Sequence, residues 1–225
     1  MTDSRLELEG DASVPPKPRL RGRFHQFAFL AAIPAAIVLE VAARTLRARV
    51  AVGLYGLSLI AMFGISAAYH RLNWTPRAQS RMRRLDHSMI YVLIAGTYTP
   101  FTLLVLKRPW SFVLLSLVVV GAIAGIAIKI FAIDRLSLAG YVLYVVLGWA
   151  LVAAAPQVVR GLRVGELVPL AVGGALYTLG AIVLAAGRPN PNPQVFGYHE
   201  VFHLTTVIAA LCHYAAVLQV VVALH

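Results

Sequence analysis

The stretch 111–130, SFVLLSLVVVGAIAGIAIKI, contains a single charged residue, Lys129, next to its end. An α-helix of this length rises about 30 Å, which matches the hydrocarbon core of a bilayer. The whole chain of 225 residues has the same character, since hydrophobic residues make up 60%, charged residues 13%, and the mean hydropathy is +0.77. A soluble domain of this length could not cover so much apolar surface. The sequence therefore predicts an integral membrane protein.

Further apolar segments of similar length lie on both sides of this stretch. None of them alternates between apolar and polar residues, which disfavours a β-barrel. We predict an all-α, seven-transmembrane-helix bundle, and we expect residues 24–225 to form this one domain. The polar residues 1–23 are expected to form a disordered basic cytoplasmic tail. The predicted spans are 24–43, 50–69, 87–106, 111–130, 136–156, 166–186 and 199–223.

The charge distribution indicates the orientation of the bundle. The net charge is +11, but the arginines lie in short segments between apolar stretches, which favours topology signals and anionic headgroups over nucleic-acid binding. With the N-terminus inside, the inside segments hold 13 of the 20 Lys and Arg residues and the outside segments hold 7. This bias predicts an inside N-terminus and an outside C-terminus. The single cysteine, Cys212, excludes an internal disulfide and a cysteine-based zinc site.

Five polar residues stand at predicted helix ends: Ser66 and His70 in ISAAYH, Asp86, and His199 and His203 in GYHEVFHL. Ionisable groups beside hydrocarbon are costly unless they are paired or bind a metal. His70 ends the second predicted span, Asp86 begins the third and His199 begins the seventh, so all three lie on the same side of the membrane. A four-residue offset places Ser66 above His70 on one helix face, and lets His199 and His203 share one ion. Three neutral imidazoles predict a Zn²⁺ site with an open position.

Three motifs carry a resemblance to a known family. SAAYH, LDHSMIYVLIAGTYTPF and HEVFH resemble the signatures of the hemolysin III proteins, the bacterial branch of the progestin and adipoQ receptor (PAQR) family, which is similar to the adiponectin receptors and the alkaline ceramidases. The resemblance implies a seven-helix, multi-pass protein of the bacterial inner membrane with its N-terminus inside. It also implies that His70, His199 and His203 bind zinc on the cytoplasmic side. The likeness to the ceramidases implies hydrolysis of a lipid amide as ancestral chemistry.

The same five residues suggest a mechanism and a substrate class. We expect a zinc-dependent hydrolase that cleaves a lipid amide or ester and affects membrane lipid homeostasis. Zinc held by His70, His199 and His203 would activate water and polarise a carbonyl. Asp86 is the expected general base or positions the water, and Ser66 is expected to hydrogen-bond the ligand, the water or an oxyanion. The expected partners are membrane lipids and a lipid-like substrate; the sequence does not predict an oligomeric state.

Other polar residues have alternative interpretations. HEVFH also matches the HExxH helix of zinc proteases, which would make Glu200 the base; otherwise Glu200 is expected to face headgroups or a loop, or to support a neighbour. His87 is expected to cap a helix or meet lipid phosphate, with a supporting role near the metal as the alternative. His25 and His225 lie near the chain ends and are expected to be solvated. Lys129 is expected to extend to the inner interface.

Two non-enzymatic functions remain open alternatives. The first is a pore-forming cytolysin or channel, although a conducting path should be lined by polar groups through the bilayer depth. The ionisable groups here concentrate at one end of the predicted spans, and the middles are Val, Leu, Ala and Gly. The second alternative is a receptor or regulator of membrane state in which zinc is structural.

Overall fold

The computed structural model describes residues 18–224, so most of the predicted tail, residues 1–17, and the terminal His225 lie outside the described residues. Within that range the chain is helical, without a β-strand apart from one isolated bridge between Asn192 and Phe196. Seven helical segments are long and apolar enough to cross a bilayer, which confirms the all-α, seven-span prediction. They are Arg23–Ala42, Leu46–Arg71, Pro76–Val105, Trp110–Phe131, Leu138–Gly161, Val164–Ala186 and Tyr198–Ala223.

Eight α-helices make up these spans, because the fifth span is interrupted. Pro156 stands at the start of a new helix, where its missing N–H removes no helical hydrogen bond, and a 3-10 turn at Ala150–Ala154 precedes it. The third span ends in a π-helical turn, Phe101–Val105, directly after Pro100. The helices are α1 (Arg23–Ala42), α2 (Leu46–Arg71), α3 (Pro76–Pro100), α4 (Trp110–Phe131), α5 (Ser137–Trp149), α6 (Ala155–Gly161), α7 (Val164–Ala186) and α8 (Tyr198–Ala223).

The packing order brings distant parts of the chain to one end of the bundle. Each of α1 to α4 packs against the next helix in the chain, while α8 packs between α7 and α1. Because successive spans run in opposite directions, the starts of α1, α3, α5 and α8 and the ends of α2, α4 and α7 lie together. We call this the histidine end, defined by His25, His70, Asp86, His199 and His203, and we call the other side the opposite end.

The third helix begins well before the predicted position 87. The Thr75 hydroxyl caps it by accepting a hydrogen bond from the Ala78 N–H at 3.4 Å, and Pro76 occupies the first turn. Arg83 pairs with Asp134, and the Arg84 guanidinium donates to the Ile130 carbonyl at 2.9 Å, so both arginines hold this polar beginning against the end of α4. Hydropathy missed these turns because they are polar. Asp86 and the neighbouring His87 therefore lie inside the helix, and His87 does not cap it.

The end of the predicted disordered tail is an ordered turn. The backbone N–H of Arg19 donates to the Gln194 carbonyl at 3.0 Å, and that of Leu20 donates to the Val195 carbonyl at 3.2 Å. Gly22 follows with φ of 75°, and a Cβ on it would lie 2.7 Å from the Cβ of His70. Residues 18–22, which we call the N-terminal turn, therefore pack directly against the histidine end.

Candidate metal centre

Three histidines from two helices meet at the histidine end. His70 comes from the last turn of α2, while His199 and His203 lie one turn apart at the start of α8. One ring nitrogen from each lies within 4.8 Å of the other two. The Nε2 atoms of His70 and His199 are 3.3 Å apart. The histidines that the sequence singled out are thus close enough to hold one metal ion.

The spacing and the donors fit a metal that prefers imidazole. With zinc–nitrogen bonds of about 2.0–2.1 Å, two nitrogens of a tetrahedral site are about 3.3–3.4 Å apart, which matches the separation between His70 and His199. The limit for the full set, 4.8 Å, is longer than this, so the three rings would have to approach one another to share one ion. Among the described residues, the buried Nδ1 of His203 has no hydrogen-bond partner. This unpartnered atom agrees with a binding site here, because buried polar atoms are normally satisfied.

The two other predicted site residues adjoin these histidines. The Asp86 carboxylate, from α3, lies 3.8 Å from Nε2 of His70 and is largely buried. Ser66 lies one turn deeper than His70 on α2 and is also buried. Both line one cavity of about 40 Å³, whose polar side chains are those of His25, Ser66, Asp86, His87, Lys129, Tyr141, Tyr144, His199 and His203. His87 therefore faces the site rather than lipid phosphate.

A fourth histidine belongs to this site, and its expected solvation is wrong. His25 on α1 is 1% exposed, and its ring stacks on His203 with centroids 3.8 Å apart and planes 10° apart. Its Nδ1 is 2.8 Å from the Ser66 hydroxyl oxygen. The argument that grouped the other histidines would have found it: His25 is a polar residue at the beginning of an apolar span, on the side where His70 ends and His199 begins.

Glu200 is structural in this arrangement, which removes the basis of the protease interpretation. It is fully buried, so the expectation that it faces headgroups is wrong. Its carboxylate pairs with Arg21 of the N-terminal turn at 2.5 Å and accepts a hydrogen bond from the Gly197 N–H at 2.9 Å. Glu200 thus caps its own helix and ties that helix to the turn, which agrees with the alternative that it supports its neighbours.

A second, mainly apolar cavity of about 110 Å³ continues from the polar one. The two share the lining residues Met62, Ile90, Tyr144 and Phe202. The deeper cavity also contains His213, whose Nε2 is 3.1 Å from the Leu170 carbonyl and which lies away from the candidate metal centre. The candidate metal centre thus adjoins a space suited to an apolar chain.

Comparison with known proteins places the chain in a family. The model of the family described as "Haemolysin-III related" matches residues 14–214. Hemolysin-3 of Bacillus cereus is 37% identical over 183 residues, which cover 80% of each chain. The hemolysin-3 homolog of Bacillus subtilis (strain 168) is 34% identical over 161 residues, covering 70% of this chain and 75% of the relative.

A more distant relative connects the chain to animal proteins. The monocyte to macrophage differentiation factor of Homo sapiens is 24% identical over 202 residues, covering 86% of this chain and 79% of the relative. The family match and the seven apolar helices confirm the expected class of multi-pass membrane protein, and an inner-membrane location is consistent with the bacterial relatives. The chain belongs to the haemolysin III family.

Proposed function

We propose that this protein is a zinc-dependent hydrolase of lipid amides or esters that acts at the cytoplasmic membrane interface. The observation that carries the proposal is the meeting of three imidazoles with a carboxylate, 3.8 Å from one of them, beside an apolar cavity. Catalytic zinc sites use three protein ligands and leave a position open. The apolar cavity supplies room for a lipid chain, while the polar cavity receives the bond to be cleaved.

His70, His199 and His203 would hold the ion. Zn²⁺ bound there would supply a Lewis acid that activates water and polarises a carbonyl oxygen. Asp86 is the group positioned to accept the proton from the attacking water and to return it to the leaving amine or alcohol. The carbonyl C–N or C–O bond breaks, and the products are a fatty acid and the amine or alcohol.

Ser66 and His25 would act together in this reaction. An oxyanion is stabilised by a hydrogen-bond donor. Ser66 can donate to it only when the serine O–H points away from His25. The tautomer that carries its proton on Nδ1 of His25 donates to the Ser66 oxygen across the 2.8 Å contact and leaves that O–H for another acceptor, either the Asp86 carboxylate, with which Ser66 forms a hydrogen bond, or an oxyanion. His25 would thereby act on the reaction by positioning Ser66.

The experiment combines metal analysis with turnover in the purified full chain. The wild type is expected to carry about one zinc per chain and to release fatty acid from a panel of ceramides and glycerolipids. The triple variant His70→Ala, His199→Ala, His203→Ala should lose both properties, and Asp86→Asn should keep zinc while losing most turnover. His213→Ala, which removes a buried histidine of α8 outside the cluster, is the matched control for zinc content; turnover is not compared in it, because His213 lines the apolar cavity. Equal zinc in the wild type and the triple variant would refute the metal site, and full turnover by Asp86→Asn would refute the catalytic role of Asp86.

A pore-forming cytolysin is the second candidate, favoured by the names of the two bacterial relatives, hemolysin-3 and its homolog. The apolar lining of the deeper cavity favours a lipid over an ion path. Purified protein in sealed vesicles loaded with a fluorescent dye separates the two candidates. Dye release that the triple histidine variant does not cause would favour the pore; fatty-acid release without leakage would favour the hydrolase.

A further inference from the structure

Lys129 is a buried cation that the proposed mechanism does not use. The sequence suggests that it extends to the interface, but the residue is only 3% exposed and lines the polar cavity. Its ammonium lies 5.0 Å from the centroid of the Tyr141 ring. Among the side chains that the structure describes, no carboxylate pairs with it and none accepts a hydrogen bond from it. A cation–π contact does not use the ammonium's three N–H donors, which are available to a ligand or to water in the cavity.

The neighbouring helices form a niche for this ammonium. A Cβ on Gly140 of α5 would lie 2.5 Å from Nζ and 2.9 Å from Cε of Lys129. The Tyr91 hydroxyl donates to the Gly140 carbonyl at 2.7 Å and thereby fixes α5 against α3. Tyr91 in turn fits only because Gly125 of α4 lacks a side chain, since a Cβ there would lie 2.2 Å from its ring. Two glycines and a tyrosine thus hold the ammonium at the wall of the cavity.

The nearby carboxylates do not neutralise Lys129. Asp86 lines the same cavity but faces His70 at 3.8 Å, and Asp134 pairs with Arg83. Neither lies within 4.0 Å of the lysine nitrogen, the limit for an ion pair. A buried charge without a partner is costly, and in a membrane protein it marks a place where a ligand supplies the opposite charge.

We propose that Lys129 binds an anionic oxygen in the head of the lipid that occupies the polar cavity. The oxygen belongs either to a headgroup phosphate or to a fatty-acid carboxylate, and the lipid chain extends into the apolar cavity past Ile90 and Phe202. The proposal rests on the proposed function for what happens to the lipid there, and it adds the charge class of the ligand. It predicts a preference for acidic over neutral lipids.

The test measures binding without turnover. Native mass spectrometry of the detergent-solubilised full chain would count three bound probes with the same C16 chain length: hexadecylglycerol phosphate with an ether link, hexadecanoate, and neutral hexadecylglycerol. None contains a carboxylic amide or carboxylic ester bond, the bonds that the proposed hydrolase would cleave. The variants are Lys129→Met, which removes the charge, and Gly140→Ala, which displaces the end of a flexible side chain while keeping the charge. Lys107→Met, at an exposed lysine of the opposite end, is the matched control.

We expect both cavity variants to bind an anionic probe about tenfold more weakly or worse, with the neutral probe and Lys107→Met unchanged. If the cavity variants lose affinity for the phosphate probe alone, the anionic oxygen comes from a headgroup. If they lose affinity for hexadecanoate alone, it comes from a fatty acid. Wild-type affinity of Lys129→Met for both anionic probes, or an equal loss of the neutral probe, would overturn the proposal. If Lys129→Met does not fold, Gly140→Ala decides by the same criteria. If the protein binds the anionic probes in a Lys129-dependent way but does not turn over lipid, only the hydrolase proposal is rejected.

Discussion

Glu166 and Glu200 occupy the same place in two helices, but their arginine partners come from different parts of the chain. Each carboxylate accepts a hydrogen bond from the backbone N–H three residues earlier, at 2.7 Å from Arg163 and at 2.9 Å from Gly197. The second partner of Glu166 is again Arg163, at 2.8 Å, with a side chain that is 71% exposed. Glu200 instead pairs at 2.5 Å with Arg21, 179 residues away.

The difference separates a local cap from a tertiary link. At the opposite end, Glu166 stabilises the start of α7 with contacts that the same turn supplies. At the histidine end, Glu200 connects the start of α8, which carries His199 and His203, to the N-terminal turn. The positions of two proposed metal ligands therefore depend on the packing of α1 and the turn before it, whereas both partners of the Glu166 carboxylate come from its own turn.

Replacing each glutamate by glutamine should separate the two roles most strongly. Glu200→Gln breaks a buried ion pair and is expected to lower the free energy of unfolding by about 2–4 kcal/mol and zinc affinity by about tenfold. Glu166→Gln keeps a capping oxygen opposite an exposed arginine and should cost about 1 kcal/mol without changing zinc binding. Detergent unfolding titrations and zinc competition with a chelator measure both. Equal effects of the two substitutions would contradict the distinction.

The arginines provide the next largest contrast. Arg21→Met leaves the buried Glu200 carboxylate without its cation and should cost about 2 kcal/mol, with weaker zinc binding. Arg163→Met removes an i,i+3 partner whose own side chain is 71% exposed, and should cost less than about 1 kcal/mol. The same unfolding titration compares them. If Arg163→Met proves the more damaging, the tertiary link is not what stabilises the histidine end.

His25 makes a second long-range contact at the histidine end, in this case with residues of the proposed reaction site. His25→Phe keeps a flat ring against His203 but loses the hydrogen bond to Ser66, so turnover should fall about tenfold while zinc content stays unchanged. Ser66→Ala should have a similar effect. Because both substitutions disrupt the same hydrogen-bonded pair of side chains, the turnover of the double variant should be little lower than that of either single variant. Additive losses, measured as kcat under saturating lipid, would show that the two residues act separately.

Two glycines in the left-handed region give the smallest expected difference. Gly22 and Gly187 have φ of 75° and 64°, so alanine at either position costs about 1–2 kcal/mol of backbone energy. A Cβ at Gly22 also meets His70 at 2.7 Å, whereas nothing lies within 4 Å of one at Gly187. Gly22→Ala should therefore lower the free energy of unfolding by about 1 kcal/mol more than Gly187→Ala does, as measured in the unfolding titration. Identical costs would mean that the N-terminal turn does not press against His70.

Local features of the sequence predicted the seven spans and the residues of the candidate site. Hydropathy identified each span because the bilayer imposes one length and one composition on a helix. It placed the start of α3 too late, because the turns around Arg83 and Arg84 are polar and are held by contacts with α4. The alternation of helix direction and the four-residue spacing grouped Ser66, His70, Asp86, His199 and His203, since both follow from chain order and helical geometry alone.

The sequence by itself thus determined a membrane-spanning helical bundle, its family and the end at which its polar groups collect. Tertiary structure decided which of those groups touch: His25 stacks on His203, Arg21 reaches Glu200, and Lys129 turns into the cavity above Gly140. Hydropathy and helical periodicity relate residues only a few positions apart. Contacts between different helices depend on which helices become neighbours and on how closely small side chains let them approach.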